Sequence, residues 1–229
     1  MSEYLVINIL IIAVPLILSF EKKIQFISKL PFVLVSIIIT GGVYILWDVI
    51  ATARGDWAFN PVYISGLKIF NLPIEEILFF ITVPYACLFI YETGKLYLKE
   101  NEIKINKYIF YSAVLLFFVF AFLNFERNYT FLALFSTGLF LLSAKIFAPF
   151  ILKSKIYWLF IAFSFIPFFT VNYILTSLPI VTYSSDVILG IRITTIPLED
   201  FFYSYSMLSF YLLFYLIAER IWLKRKKSV

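Results

Sequence analysis

The sequence predicts an all-α polytopic integral membrane protein, and three observations carry that expectation. Apolar residues make up 62% of the 229 positions and charged residues only 14%. The mean hydropathy of +0.96 lies beyond what soluble domains carry. Seven apolar stretches approach the roughly 17–25 residues that a spanning helix needs: 3–20, 31–52, 74–92, 108–125, 129–149, 156–176 and 198–222. The cations also sort by loop. Fifteen fall in 22–29, 95–107, 145–155 and 220–227, against four (Arg54, Lys68, Arg127 and Arg192) in the remaining loops. By the positive-inside rule this predicts a multi-pass protein of the cell membrane, amino terminus outside and carboxy terminus in the cytoplasm.

Taken in order, the first stretch has no basic residue before it and no small-residue cleavage site after Phe20, so it reads as a retained span. The second carries Asp48 near its outer end. Residues 53–72, rich in Gly, Pro, Asn and aromatics, read as an ordered interfacial loop. Trp57 and Tyr63 there, and Tyr183 in the later outer loop, read as interface anchors, with roofing of a pocket as the lesser alternative.

Residues 66–80, G-L-K-I-F-N-L-P-I-E-E-I-L-F-F, open the third stretch, and 190–202, G-I-R-I-T-T-I-P-L-E-D-F-F, open the seventh. The offset is constant, since 190 − 66, 197 − 73 and 199 − 75 all equal 124. The same shift lays the first three stretches on the fifth, sixth and seventh and leaves the fourth unmatched. Three crossings alone would insert the second copy upside down, and the extra helix restores its orientation. The expected organisation is a first repeat at 1–107, a linking helix at 108–126 and a second repeat at 127–229. The two are related by a pseudo-twofold axis along the membrane normal. The connector 95–107, with Glu92, Glu100 and Glu102, reads as a solvated link. The basic run 224–227 reads as a tail snorkelling to anionic lipid.

Asn71 and Thr195 precede the prolines by two residues, which predicts N-caps with Pro73 and Pro197 in the first helical turn. Glu75, Glu76, Glu199 and Asp200 then fall in or just past that turn, where the macrodipole favours acids in any helix. A charge inside a membrane nevertheless costs about 2.5–3.5 kcal/mol on insertion scales and marks a functional site. Here there are two in succession, in two helices. Neighbouring side chains on a helix diverge by about 100°, so an acid dyad needs both copies: Glu75 facing Glu199, or Glu76 facing Asp200. Carboxyls that close do not both ionise easily in an apolar setting, which would give a general acid beside a general base; the helix dipole opposes this.

Asp48 has Asn172 as its mate at 48 + 124. The pair reads as one polar position kept in both halves, or else Asp48 pairs with Arg54 or caps a loop. Phe79, Phe80, Phe201, Phe202, Tyr203 and Tyr205 lie near the acids and include candidates to stabilise a carbocation over a ring face.

The sequence has no histidine and one cysteine, Cys87, so the usual nitrogen and sulfur metal ligands are nearly missing. An all-oxygen Mg²⁺ site stays open. There is no G-x-G-x-x-G, no P-loop and no Asp-rich diphosphate cluster. No cofactor and no metal are predicted, and the +5 charge follows membrane topology rather than nucleic acid. Acid–base chemistry on a lipophilic substrate is the class that remains.

At P-I-E-E-I-L-F-F (73–80) and P-L-E-D-F-F (197–202) the chain resembles the small membrane lycopene cyclases of the heterodimeric type, with both halves fused. W-D at 47–48, G-x-W at 55–57 and V-N-Y-I-L-T at 171–176 support the resemblance, which spans nearly the whole chain. It implies a lycopene β-cyclase, an enzyme of the isomerase or intramolecular lyase type, which closes the ψ-ends of lycopene to the β-ionone rings of β-carotene without net redox change. A carboxylic acid would protonate the terminal double bond and a base would remove the final proton. Glu75 and Glu199 are the first-choice acid and base, Glu76 and Asp200 their partners, and Asp48, Asn172, Pro73 and Pro197 supporting residues. The implied partners are a carotenoid, membrane lipid and other carotenoid-pathway enzymes. Alternatives are a carotenoid hydratase, a cyclase of another carotenoid, and a non-catalytic carotenoid-binding or transport protein.

Overall fold

A computed structural model describes residues 1–227, with side chains through Lys224. Seven apolar helices dominate it: α1 Glu3–Leu18, α2 Phe26–Arg54, α3 Ile74–Tyr97, α4 Lys107–Leu123, α5 Asn128–Phe147, α6 Lys155–Ser177 and α7 Leu198–Lys227. Five of them are long and apolar enough to cross a membrane, and the chain is an all-α membrane protein. The other two, α1 and α4, are apolar but have only 16 and 17 residues. At a rise of 1.5 Å per residue they reach about 25 Å, a little short of the hydrocarbon core. Local chemistry sets those ends. Ser2 caps α1 by accepting from the Leu5 N–H at 3.3 Å, and Asn106 caps α4 by accepting from the Tyr108 N–H at 2.9 Å.

The loops between α2 and α3 and between α6 and α7 carry three two-stranded pieces. Strand β1, Trp57–Phe59, pairs antiparallel with β4, Val181–Tyr183, so the loops of the two halves join directly. Strands β2, Lys68–Ile69, and β3, Leu72–Pro73, form a hairpin just before α3. Strands β5, Arg192–Ile193, and β6, Ile196–Pro197, do the same before α7. Each hairpin is preceded by a left-handed glycine, Gly66 at φ 84° and Gly190 at φ 79°. Each also turns on a left-handed non-glycine residue, Phe70 at φ 56° and Thr194 at φ 59°.

This geometry corrects the expected N-caps. Pro73 and Pro197 end the strands, and the helices start one residue later. Asn71 instead donates to the Val49 carbonyl at 2.9 Å. Thr195 shares a hydrogen bond with the Thr176 hydroxyl at 2.7 Å.

The packing is crossed. Within each half the first helix lies on the third, α1 on α3 and α5 on α7, while the second lies on the third helix of the other half, α2 on α7 and α6 on α3. Between α2 and α7, the Ser36 hydroxyl donates to the Tyr211 carbonyl at 2.6 Å, and the Tyr211 phenol donates to the Phe80 carbonyl of α3 at 2.9 Å. Gly41 sits in a π-helical turn of α2, where an added Cβ would meet that phenol at 2.9 Å.

The far ends of these helices are tied by ion pairs. Glu219 pairs with Lys29, and Lys95 bridges Glu92 at 2.8 Å and Glu219 at 3.9 Å. Glu100 accepts from the Ser154 hydroxyl at 2.6 Å and the Lys155 N–H at 2.8 Å, fixing the start of α6. Glu92 and Glu100 thus tie helix ends together, while Glu102 is exposed to solvent. The basic run 224–227, expected to snorkel, lies outside the described side chains beyond Lys224.

Candidate active site

The hairpin before each third helix fixes what its two acids do. The first acid turns back to the loop. Glu75 Oε1 accepts from the Ser65 N–H at 2.6 Å and the Ser2 hydroxyl at 2.7 Å. Glu199 Oε1 accepts from the Leu189 N–H at 2.7 Å and the Thr130 hydroxyl at 2.6 Å. Both are buried, and neither lines a cavity.

The second acid turns inward. Glu76 accepts from the Tyr4 phenol at 2.5 Å. Asp200 accepts from the Tyr129 phenol at 2.5 Å on one oxygen and from the Tyr183 phenol at 3.1 Å on the other. Glu76 and Asp200 reach the same cavity, about 520 Å³, lined by α1, α2, α3, α5, α6, α7 and the β1–β4 strands. Of the two acid pairs the sequence allows, the structure brings the second pair to one site and holds the first outside it.

Asp48 from α2 is the third carboxyl on that cavity. Its Oδ1 accepts from the Trp57 indole at 2.6 Å and the Thr52 hydroxyl at 3.3 Å, while Oδ2 is buried without a partner. It lines the same cavity as Glu76. Arg54 pairs with Asp56, not Asp48. Asn172 also lines the cavity, where its amide donates to the Phe168 carbonyl of its own helix at 3.0 Å. Pro73 and Pro197 are buried at the hairpin ends and do not line it. Among the described residues no three Asp, Glu or Cys side chains cluster to hold a metal ion.

Three carboxyls in a cavity walled by hydrocarbon and aromatic rings suit proton transfer to and from an apolar molecule. The sequence model of the lycopene cyclase family matches the chain twice, over residues 2–93 and again over 126–218. The chain belongs to the lycopene cyclase family. It is accordingly an enzyme of carotenoid cyclisation, and its substrate is a lipophilic carotenoid. The two matches start 126 − 2 = 124 residues apart and leave out 94–125 between them, the connector and all of α4. No curated protein and no solved structure matches the cyclase.

The aromatic residues of the cyclase divide differently from expectation. Trp57 and Tyr183 line the cavity, as in the roofing alternative. Tyr63 does not line it, and its carbonyl accepts from the Tyr4 N–H at 3.2 Å. Of the six ring candidates, Phe79 and Tyr203 line the cavity. Phe80 is sealed in the core. Phe201 stacks on Phe165 at 6.0 Å, Phe202 meets Phe117 edge-on at 5.8 Å, and Tyr205 accepts from the Tyr157 phenol at 2.9 Å.

Sequence reasoning missed the three phenols that serve the acids. Tyr4 and Tyr129 were findable: 129 − 4 = 125, one residue off the motif offset, so each copy opens its first helix with a tyrosine for its own second acid. Tyr183 has no such partner, since 183 − 124 falls on Phe59. Burial, and then the adjacent Asp200 carboxylate, push the Tyr183 phenol well above its ordinary range, so it remains a donor at neutral pH.

Proposed function

We propose that the cyclase is a lycopene β-cyclase built from a first repeat at 1–107, a linking helix at 108–126 and a second repeat at 127–229. It crosses the cell membrane seven times with its amino terminus outside. The observation that carries this reading is the meeting of the second acid of each copy, with Asp48, on one cavity.

Asp48 and Glu76 face the cavity together and supply the general acid. Its proton goes to C2 of the ψ-end and leaves a tertiary cation at C1. The 5,6 double bond attacks C1, the ring closes, and the cation moves to C5. Loss of the proton at C6 sets the β-ring alkene, so one proton enters and one leaves with no electron transferred. Asp200, whose two oxygens already accept phenol protons, is the base. Phe79 and Tyr203 place ring faces beside the cation, where the quadrupole contributes about 0.5–2 kcal/mol. Glu75 and Glu199 act as clamps that fix the loop before each helix. No cofactor enters this scheme.

The aromatic roof supports cyclisation over hydration, because water that reached the cation would give an alcohol instead of a ring. Expression in a lycopene-accumulating bacterium tests the reading. A product of unchanged mass with β-ring retention and spectrum is expected. A gain of water, or untouched lycopene beside well-inserted protein, would overturn it.

A further inference from the structure

We propose that the seam between α1 and α6 is the port through which a linear polyene slides, end first, from the lipid into the cavity. The proposal rests on the cyclase reading and concerns how its substrate reaches the acids. Of the residues lining the cavity, only Leu10 of α1 and Pro167 and Thr170 of α6 are exposed; those from α2, α3, α5, α7 and the outer loops are buried or half-buried. The fully exposed part of the lining therefore falls on the α1–α6 side of the bundle, the flank that the proposal turns toward lipid.

The alternatives are closed. Trp57, Phe59 and Tyr183 of the paired strands cover the end where the acids sit, which shuts the route from the outer aqueous phase. Near that end the seam itself is sealed, because Ile7 of α1 and Leu175 of α6 are buried in one cluster with Tyr4 and Ile180. Below it the helices part, and neither packs extensively on the other: α1 lies on α3, and α6 lies on α3 and touches α7.

Size points the same way. From Glu76 to Ile90, both on α3 and both lining the cavity, 14 residues at 1.5 Å rise give about 21 Å. An extended lycopene chain is on the order of the bilayer core, about 30 Å. One ψ-end can reach the acids only while the rest of the chain trails outside, and a slot facing lipid lets an apolar chain trail without exposure to water. Pro15 and Pro167 line the cavity from opposite sides of the slot. Each lacks a backbone N–H, so each leaves a gap in its helix's hydrogen-bond ladder along the opening.

The test is turnover of lycopene in proteoliposomes by the full chain carrying Leu10→Trp or Thr170→Trp, with Ile9→Trp and Ile166→Trp as controls. The control positions are exposed on the same two helices and do not line the cavity. All four changes face lipid, where tryptophan is tolerated. The seam variants are expected to lose about tenfold or more in kcat/KM, and the controls to match wild type. Wild-type turnover with undiminished Leu10→Trp and Thr170→Trp would overturn the port and leave the cyclase reading standing. Equal losses in the control variants would also overturn it, since bulk on these helices would then act by packing rather than by blocking the seam. Absence of turnover in wild type would instead overturn the cyclase reading on which the port rests.

Discussion

Glu75 and Glu76 differ by one position and have opposite surroundings, the loop for one and the cavity for the other. Glu76→Gln and Asp200→Asn are therefore expected to lower the initial rate by about 10²–10⁴, the usual contribution of a positioned acid or base, measured at matched amounts of inserted protein. Glu75→Gln and Glu199→Gln are expected to act on the fold. Each weakens two charge-assisted bonds, at about 1–3 kcal/mol, which a melting curve in detergent should register while much of the activity survives at low temperature. The sequence singles out the four acids by their repeated motif and predicts that neighbours diverge. It does not show which of each pair points inward, because the deciding partners come from remote helices: Ser2 lies 73 positions from Glu75, and Thr130 lies 69 from Glu199. Asp48 was legible as a special polar position, but its indole partner from the roof was not.

The element that aims the acids is the strand hairpin closing onto each third helix. Gly66 and Gly190 enter it at φ 84° and 79° in open space, so a methyl group there meets no neighbour and strains only the backbone. Gly66→Ala and Gly190→Ala are each expected to destabilise by about 1–2 kcal/mol, and Gly66→Asn by less, as read from denaturation in detergent. The glycine, proline and acids in register were plain from the sequence. The hairpin was not, because its turns place Phe70 and Thr194 in a conformation that local chemistry reserves for Gly, Asn and Asp. Hence Asn71 and Thr195 read as caps. They are turn residues whose side chains reach other elements.

At the scale of the whole molecule, crossed packing means that neither three-helix half encloses the cavity, whose acids come from α2, α3 and α7. Residues 1–126 and 127–229 expressed as separate chains are each expected to be inactive, and to recover activity when produced together in lycopene-accumulating cells. The helix count and the duplication were legible because length, charge asymmetry and a fixed offset all survive in the sequence. The crossing was not, since in a membrane the faces that meet lipid and those that meet protein are both apolar. The central claim is that protons from the protein's own carboxyls close the ring, and deuterium reports on it most directly. Purified cyclase turning over lycopene in D₂O should give a product carrying one deuterium for each ring formed, and Glu76→Gln should form that product about 10²–10⁴ more slowly. Rings formed without deuterium, or labelled rings from Glu76→Gln at the wild-type rate, would contradict it.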